Sequence, residues 1–475
     1  MKIKVFIIGL ILVLVAILGY LGYTNLFREV PTTYNTDEEL FKYGSLGTEK
    51  KGLPYYVWEV LPEMFPKYLP AGAQKMKPYA CFGFVWEDGK EIPIGLSKKT
   101  VGFPRLGVNC AMCHTGTYRT QPSARPKLML AGTAPQFDLQ AYLQFLYQCV
   151  NDPKFSPGNV VNEIKKNHDL SFIQTVLYRY LIVPKVKDAL LKREKNSAWE
   201  KSQPPHGPGR SGLGLLGLPI GIPEEDAETV GGYDIMTLWN AKDKKGQPVH
   251  WDGFNTKRFE VFLSASASMG VTHKNLEIKN LRRLQKWLEE VQPPIFPFPI
   301  NHKLADKGHK LYDENCAACH AFGEPNVGHV IDLSKVGTDP NRLHSWPASA
   351  AEGLKQWSID EGYAPPFTHF RKTNGYKAVP LDGIWARAPY LHNGSVPTLM
   401  DLLKIPANRP KVFYRGYDVV DSVNVGFISN VPEENGYHFF KYNTADVGNS
   451  NQGHLYGTDL SSDEKKALVE YMKTL

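Results

Sequence analysis

The chain has 475 residues, 42% of them hydrophobic and 22% charged, which excludes a disordered protein and leaves room for two ordinary domains plus an anchor. Its net charge of +7 comes from lysines and arginines scattered without a long run, which argues against nucleic acid as a partner. High glycine and proline content, 41 and 35 residues, favours long ordered loops between helices over a dense regular sheet.

At the N-terminus, Lys2 and Lys4 precede an apolar stretch from Val5 to Tyr23 that is interrupted only by glycines. That length is close to the ~20 residues a helix needs to cross a bilayer. The segment from Ile17 to Tyr23 offers no Ala-x-Ala cleavage site and no cysteine for lipidation. Residues 1–25 are therefore expected to form a single-pass anchor in the cytoplasmic membrane, with a cleaved signal as the alternative. The flanking lysines stay inside, which places everything after Thr24 on the extracytoplasmic, periplasmic side.

Residues 26–100, rich in aromatics, proline and glycine, read as a loop-rich collar with short helices. Phe137 to Cys149 carries Leu139, Tyr142, Leu143 and Leu146 at helical spacing, and Val160 to Trp199 reads as one or two further helices. Gln203 to Pro223 is a Gly/Pro-rich loop. Asn275 to Gln292 is an amphipathic helix with Leu276, Leu281, Leu284, Leu288 and Val291 as its apolar residues. The proline-rich run Pro293 to Pro299 stops any helix, because proline lacks the amide donor and clashes with the preceding turn. It sets the expected boundary between an N-terminal domain, 26–292, and a C-terminal domain, 300–475. A helix from about Lys303 to Asn315 follows, and the chain closes with a helix from Ser461 to Leu475, capped by Ser461 or Ser462 and buried through Leu468, Tyr471, Met472 and Leu475.

Two short segments nearly repeat: Asn109-Cys110-Ala111-Met112-Cys113-His114 and Asn315-Cys316-Ala317-Ala318-Cys319-His320. Cys-x-x-Cys-His is the attachment signature of c-type haem: the thiols add to the two vinyl groups and the histidine ligates iron from below the ring. A zinc site would need two more ligands at each motif, and no second cysteine pair lies nearby. Two motifs behind an export signal predict two covalent haem c groups, held by Cys110 and Cys113 and by Cys316 and Cys319, with His114 and His320 as iron ligands. The two remaining cysteines, Cys81 and Cys149, are either a disulfide, which an oxidising compartment allows, or two buried thiols.

The segment Ala388-Pro389-Tyr390-Leu391-His392-Asn393-Gly394-Ser395-Val396-Pro397-Thr398-Leu399 resembles the bacterial di-haem cytochrome c peroxidase superfamily, most closely its rubber-oxygenase branch. His250-Trp251-Asp252-Gly253, Phe413-Tyr414-Arg415-Gly416, Val425-Gly426-Phe427 and Gly448-Asn449-Ser450-Asn451-Gln452-Gly453-His454 resemble the same branch in the same order. The resemblance runs from about Gly102 to the C-terminus and is densest after Cys316. It implies two c-type haems in two cytochrome-c-like domains, one binding the oxidant and the other passing electrons. It further implies that the haem at Cys110 and Cys113 is the reactive one, and that Trp251 lies between the haems and couples them. For the second haem it points to His454 as the sixth ligand, with His392 and Met400 as lesser alternatives. His392 is then expected to hydrogen-bond near a propionate.

Two departures bear on the reaction. Classical di-haem peroxidases have a switchable histidine shortly after the first motif; here none occurs between His114 and His168. They also carry a Gln and a Glu downstream of the bridging tryptophan, where Phe262 to Thr272 is instead apolar and small, and His273 and Glu277 are the first candidates for acid–base work. Phe259 and Phe262 lie near the place where the oxygenase branch has a bulky aromatic.

The expected fold is mainly α-helical, with two cytochrome-c-like domains joined by long loops behind an N-terminal transmembrane helix. The expected function is an oxidoreductase that activates peroxide or dioxygen at the first haem. A pure electron carrier with both irons six-coordinate is the competing expectation, and a haem-based gas sensor a more distant one. The expected electron source is a redox partner protein or a quinol-linked donor.

Overall fold

The computed structural model describes residues 2–212 and 230–475; positions 213–223 of the Gly/Pro-rich loop lie outside the described residues. The described chain is mostly helical, with seven small sheets of two or three strands.

The N-terminal helix spans Lys2–Leu26, and its Lys4–Leu26 part is long and apolar enough to cross a membrane. The most apolar 18-residue stretch of that part has no residue buried in the rest of the protein. It meets the body at one hairpin, Leu96–Val101 paired with Phe103–Val108. The turn residue Gly102 has φ +73°, and a Cβ there would fall 2.4 Å from the Leu26 backbone, so only glycine fits. Arg105 Nη2 donates to Leu26 O at 3.3 Å from the same hairpin.

The collar holds the helices Asp37–Tyr43 and Tyr55–Met64 together with several single turns. The helix Leu139–Asn151 starts where Asp138 caps it, its carboxylate accepting from Ala141 N at 2.9 Å. The stretch expected to hold one or two helices contains Pro157–Asn167, Phe172–Leu177 and Val183–Asn196, the last two joined through a π-helical turn at Tyr178–Ile182. Among the described residues the next α-helix is Arg258–Ser268, which overlaps the apolar and small run. The helix expected over Asn275 to Gln292 is shorter, Ile278–Leu288, and buries Leu281, Leu284 and Leu288.

Pro293 to Pro299 contains no helix or strand. Trp385 Nε1 donates to Pro294 O at 2.8 Å, and Phe296 meets the Trp385 ring edge-on at 5.7 Å. One large apolar core takes residues from both sides of this segment, from Leu40 to Met472. A smaller cluster joins Phe254 to Trp346, Leu354, Tyr363 and Phe367.

Two helices frame the second Cys motif. His302–Tyr312 packs against the last helix, Ser462–Met472. Their closest approach is at Gly308, where a Cβ would sit 1.9 Å from Ala467 O. Ser461 and Glu464 form a capping box at the start of the last helix, whose buried residues are Ala467, Leu468, Val469 and Met472. Tyr471 and Leu475 pack against the core from its rim.

Candidate functional site

The first motif sits on a single 3-10 turn, Cys110–Met112. Asn109 fixes it: its Oδ1 accepts from Ala111 N at 3.0 Å, and its Nδ2 donates to Gly44 O at 3.1 Å. His114 N donates to Cys110 O at 3.1 Å, and the chain runs directly into the strand Thr115–Tyr118. The imidazole is buried beside the backbones of Gly132 and Met236, and burial pushes its pKa down to about 4. Its Nδ1 has no hydrogen-bond partner.

The second motif sits on the π-helical turn Asp313–Ala317, which follows His302–Tyr312, and on the short helix Ala318–His320. His320 Nδ1 lies 2.6 Å from Val379 O. That carbonyl fixes the ring so that Nε2 is the nitrogen left for a metal. Burial pushes the Cys110, Cys113 and Cys316 thiols up to about 11, 12 and 12, so none is held as a thiolate. Among the described residues no three His, Cys, Asp or Glu side chains converge on a metal-ion site, which argues against a zinc cage at either motif.

Cys316, Cys319 and His320 open into a cavity of about 180 Å³. Its wall is mostly apolar, with five leucines, two valines and two isoleucines, and Trp251, His392 and His454 also line it. The His320 and His454 ring centroids are 6.2 Å apart. A metal bonded to both nitrogens at about 2 Å would hold two opposed imidazoles at about this spacing. His454 has φ +49° and an unpartnered, buried Nδ1. Its backbone is fastened on both sides: its N–H donates to Val336 O at 2.8 Å, and Arg409 Nη2 donates to its carbonyl at 3.1 Å. Arg409, itself buried, also bonds the carbonyls of Asn451 and Gly453. Asn393 holds the other end of this loop through Gly448 O and Ser450 O, at 3.1 and 2.9 Å.

Of the remaining candidates, His392 and Trp251 line the same cavity. His392 stacks on Tyr376 with centroids 4.0 Å apart, and its Nε2 lies 3.0 Å from the Tyr376 hydroxyl. Burial, with Arg342 and Arg210 nearby, holds its pKa well below the usual histidine range. Met400 is on the short helix Leu399–Leu402 but is not among the residues lining the cavity. Trp251 donates its indole N–H to Asp234 O at 2.7 Å. The acid–base candidates are engaged elsewhere: Glu277 pairs with Lys99 at 2.8 Å, and His273 packs edge-on against Tyr363. Cys81 and Cys149 are buried free thiols.

One residue outside the sequence reading belongs to this account. His250, at φ +65°, packs on Phe254 at 4.3 Å and lies within electrostatic reach of His114. That electrostatic coupling crosses more than a hundred residues of sequence, and only the place of His250 beside Trp251 hints at it.

A fused aromatic ring carrying two thioethers and acidic tails suits the C-terminal cavity: thiols and imidazole at one wall, a second imidazole opposite, apolar residues between. Residues 375–414, which form much of this wall, match the family described as RoxA-like, cytochrome c-like. A cytochrome c-like segment of this kind implies covalently bound haem c, and the lining of the cavity fits that group.

Two relatives come from Sinorhizobium fredii (strain NBRC 101917 / NGR234). The uncharacterized protein y4iM is 28% identical over 282 residues, covering 51% of this chain and 64% of that protein. The uncharacterized protein y4iJ is 31% identical over 251 residues, covering 39% and 41%. The chain thus spans less than two thirds of either relative. A hydrazine synthase structure from Kuenenia stuttgartiensis aligns with 52% of this chain and 73% of its own, at 15% identity. Its TM-score of 0.25 is too low to carry an argument.

Proposed function

We propose that this chain is an extracytoplasmic two-haem c-type cytochrome that acts as an oxidoreductase. When bound, the haems would supply one-electron chemistry: activation of peroxide or dioxygen at the first site and electron relay at the second. Cys110, Cys113 and His114 hold the first, and Cys316, Cys319 and His320 hold the second.

The observation that carries this reading is the facing pair His320 and His454, 6.2 Å between centroids. An iron closed by two histidines is built to pass electrons, so binding of an oxidant falls to the other site. The Val379 carbonyl orients His320, and Arg409 holds the backbone of His454 in place. Trp251 lines the second cavity and directly follows His250, which His114 influences electrostatically; that position favours Trp251 as the coupling residue. The Lys2–Leu26 helix, on this reading, holds the body to the periplasmic face of the cytoplasmic membrane. There it receives electrons from a redox partner protein or a quinol-linked donor.

A second reading, the electron carrier with both irons six-coordinate, draws support from one observation. His250 offers a second imidazole near His114. Ligand binding separates the two. The oxidoreductase reading expects one haem, and only one, to bind carbon monoxide when reduced or cyanide when oxidised. Uptake of neither ligand under any redox condition would leave the carrier.

A further inference from the structure

The cavity at His320 and His454 is apolar, yet two cationic side chains, Lys377 and Arg387, form part of its wall. Behind them stand Lys244 and Arg258. Asp382 lies at the centre of this group. It accepts from Lys244 Nζ at 2.8 Å, from Asn240 Nδ2 at 3.0 Å and from Arg387 Nη2. Glu289 is the carboxylate beside Arg258. Four cations therefore face two carboxylates in the interior, and the excess is positive.

The excess sits on the cavity side. Lys377 Nζ reaches only a neutral partner, Pro248 O at 3.0 Å. Arg387 Nη1 donates to Pro380 O at 2.7 Å, and its Nε is buried with no partner. Burial pushes Lys377 down to about 7, and Lys244, Arg258 and Arg387 push it the same way against Asp382. Burial, with Arg387 next, likewise brings Lys244 down to about 8. A cation such as Lys377, which has no carboxylate partner at the edge of an apolar cavity, is costly unless an anion completes it.

We propose that Lys377 and Arg387 form a carboxylate-binding edge of this cavity, which takes the propionates of the haem attached at Cys316 and Cys319 and raises its reduction potential. The proposal rests on the haem reading of the cavity given above. A bare carboxylate beside the ring favours the more positive, oxidised iron. A cation that neutralises it in a low-dielectric site favours the reduced iron. Lys377 is well placed for both tasks, because its backbone N–H donates to Trp251 O at 2.6 Å and its side chain lines the same cavity as His320.

The test is a spectroelectrochemical titration of the full chain that resolves the two haems. Lys377→Met should lower the midpoint of the haem at Cys316/Cys319 and leave the other unchanged, while Lys377→Arg restores most of the shift. Should Lys377→Met not fold, Arg387→Lys, which keeps the charge but withdraws Nε, should lower the same midpoint by a smaller amount. Two haems with unchanged midpoints in these variants would overturn the carboxylate edge. Wild-type protein with no covalent haem at Cys316/Cys319 would instead overturn the haem reading of the cavity.

Discussion

His320 and His454 face each other across one cavity, their ring centroids 6.2 Å apart and their planes turned by 44°. They are separated by more than a hundred residues of sequence, and each is positioned by a separate set of backbone hydrogen bonds. On this relation rests the proposal that an iron held here would be closed by a histidine on each side.

His454→Ala should convert the low-spin signal of the haem at Cys316/Cys319 to high-spin and leave the other haem unaltered. Electron paramagnetic resonance of the oxidised protein reads this. His392→Ala should leave that signal low-spin, because His392 is occupied with Tyr376. The opposite pattern would assign the ligand to His392.

Trp251→Ala should slow electron exchange between the haems and leave carbon monoxide binding largely intact. Rapid-mixing spectroscopy after partial reduction measures both. An unchanged exchange rate would remove Trp251 from the path.

The crossing of His302–Tyr312 with Ser462–Met472 should tolerate no side chain at Gly308. The added Cβ of Gly308→Ala falls 1.9 Å from a backbone oxygen. Overpacking of this kind typically costs about 1–3 kcal/mol. Leu468→Ala, at a fully buried position on Ser462–Met472, should cost about 2–5 kcal/mol. Thermal melts followed at the Soret band should show both losses.

His206 gives a prediction for pH. Burial, with Arg210 beside it, pushes its pKa from 6.5 down to about 3 in the folded chain. Between those values the unfolded chain binds a proton that the folded chain refuses, so stability falls as pH drops through that window. The slope from one such group is at most about 1.4 kcal/mol per pH unit. His206→Gln should therefore lose less melting temperature than wild type on going from pH 7 to pH 5. An equal loss in both would place the acid sensitivity elsewhere.

The N-terminal helix predicts that the full chain fractionates with membranes, and that protease added from outside releases a slightly shorter haem-staining fragment. A mature N-terminus mapped between Val15 and Val30 would show a cleaved signal instead.

The parts legible in the sequence were the local ones. Each Cys-x-x-Cys-His run is contiguous, and the helices with clear apolar periodicity, such as Leu139–Asn151 and Ser462–Met472, lie where their spacing puts them. His454 was reached through the order of short segments along the chain, since nothing local marks it as a ligand. The helix Arg258–Ser268 escaped because its serines and alanines blur the 3.6-residue period. The hairpins escaped because most strands run only two to four residues, too few for an alternation to register. Nothing in the sequence singles out Lys377, Arg387 or Asp382 from the other scattered charges. Only tertiary packing, which draws Lys244 and Arg258 to the same place, turns them into a buried cationic edge. The neighbourhood of His250 and His114 is hidden for the same reason.

The central claim is that two haems are covalently bound, one at each Cys motif. The most direct measurement is the intact mass and haem count of the purified full chain after acid–acetone extraction, beside the double variant Cys316→Ala, Cys319→Ala. Two haems retained by the wild type and one by the variant is the expected result. Haem lost to the extraction, or zinc in place of iron, would contradict it.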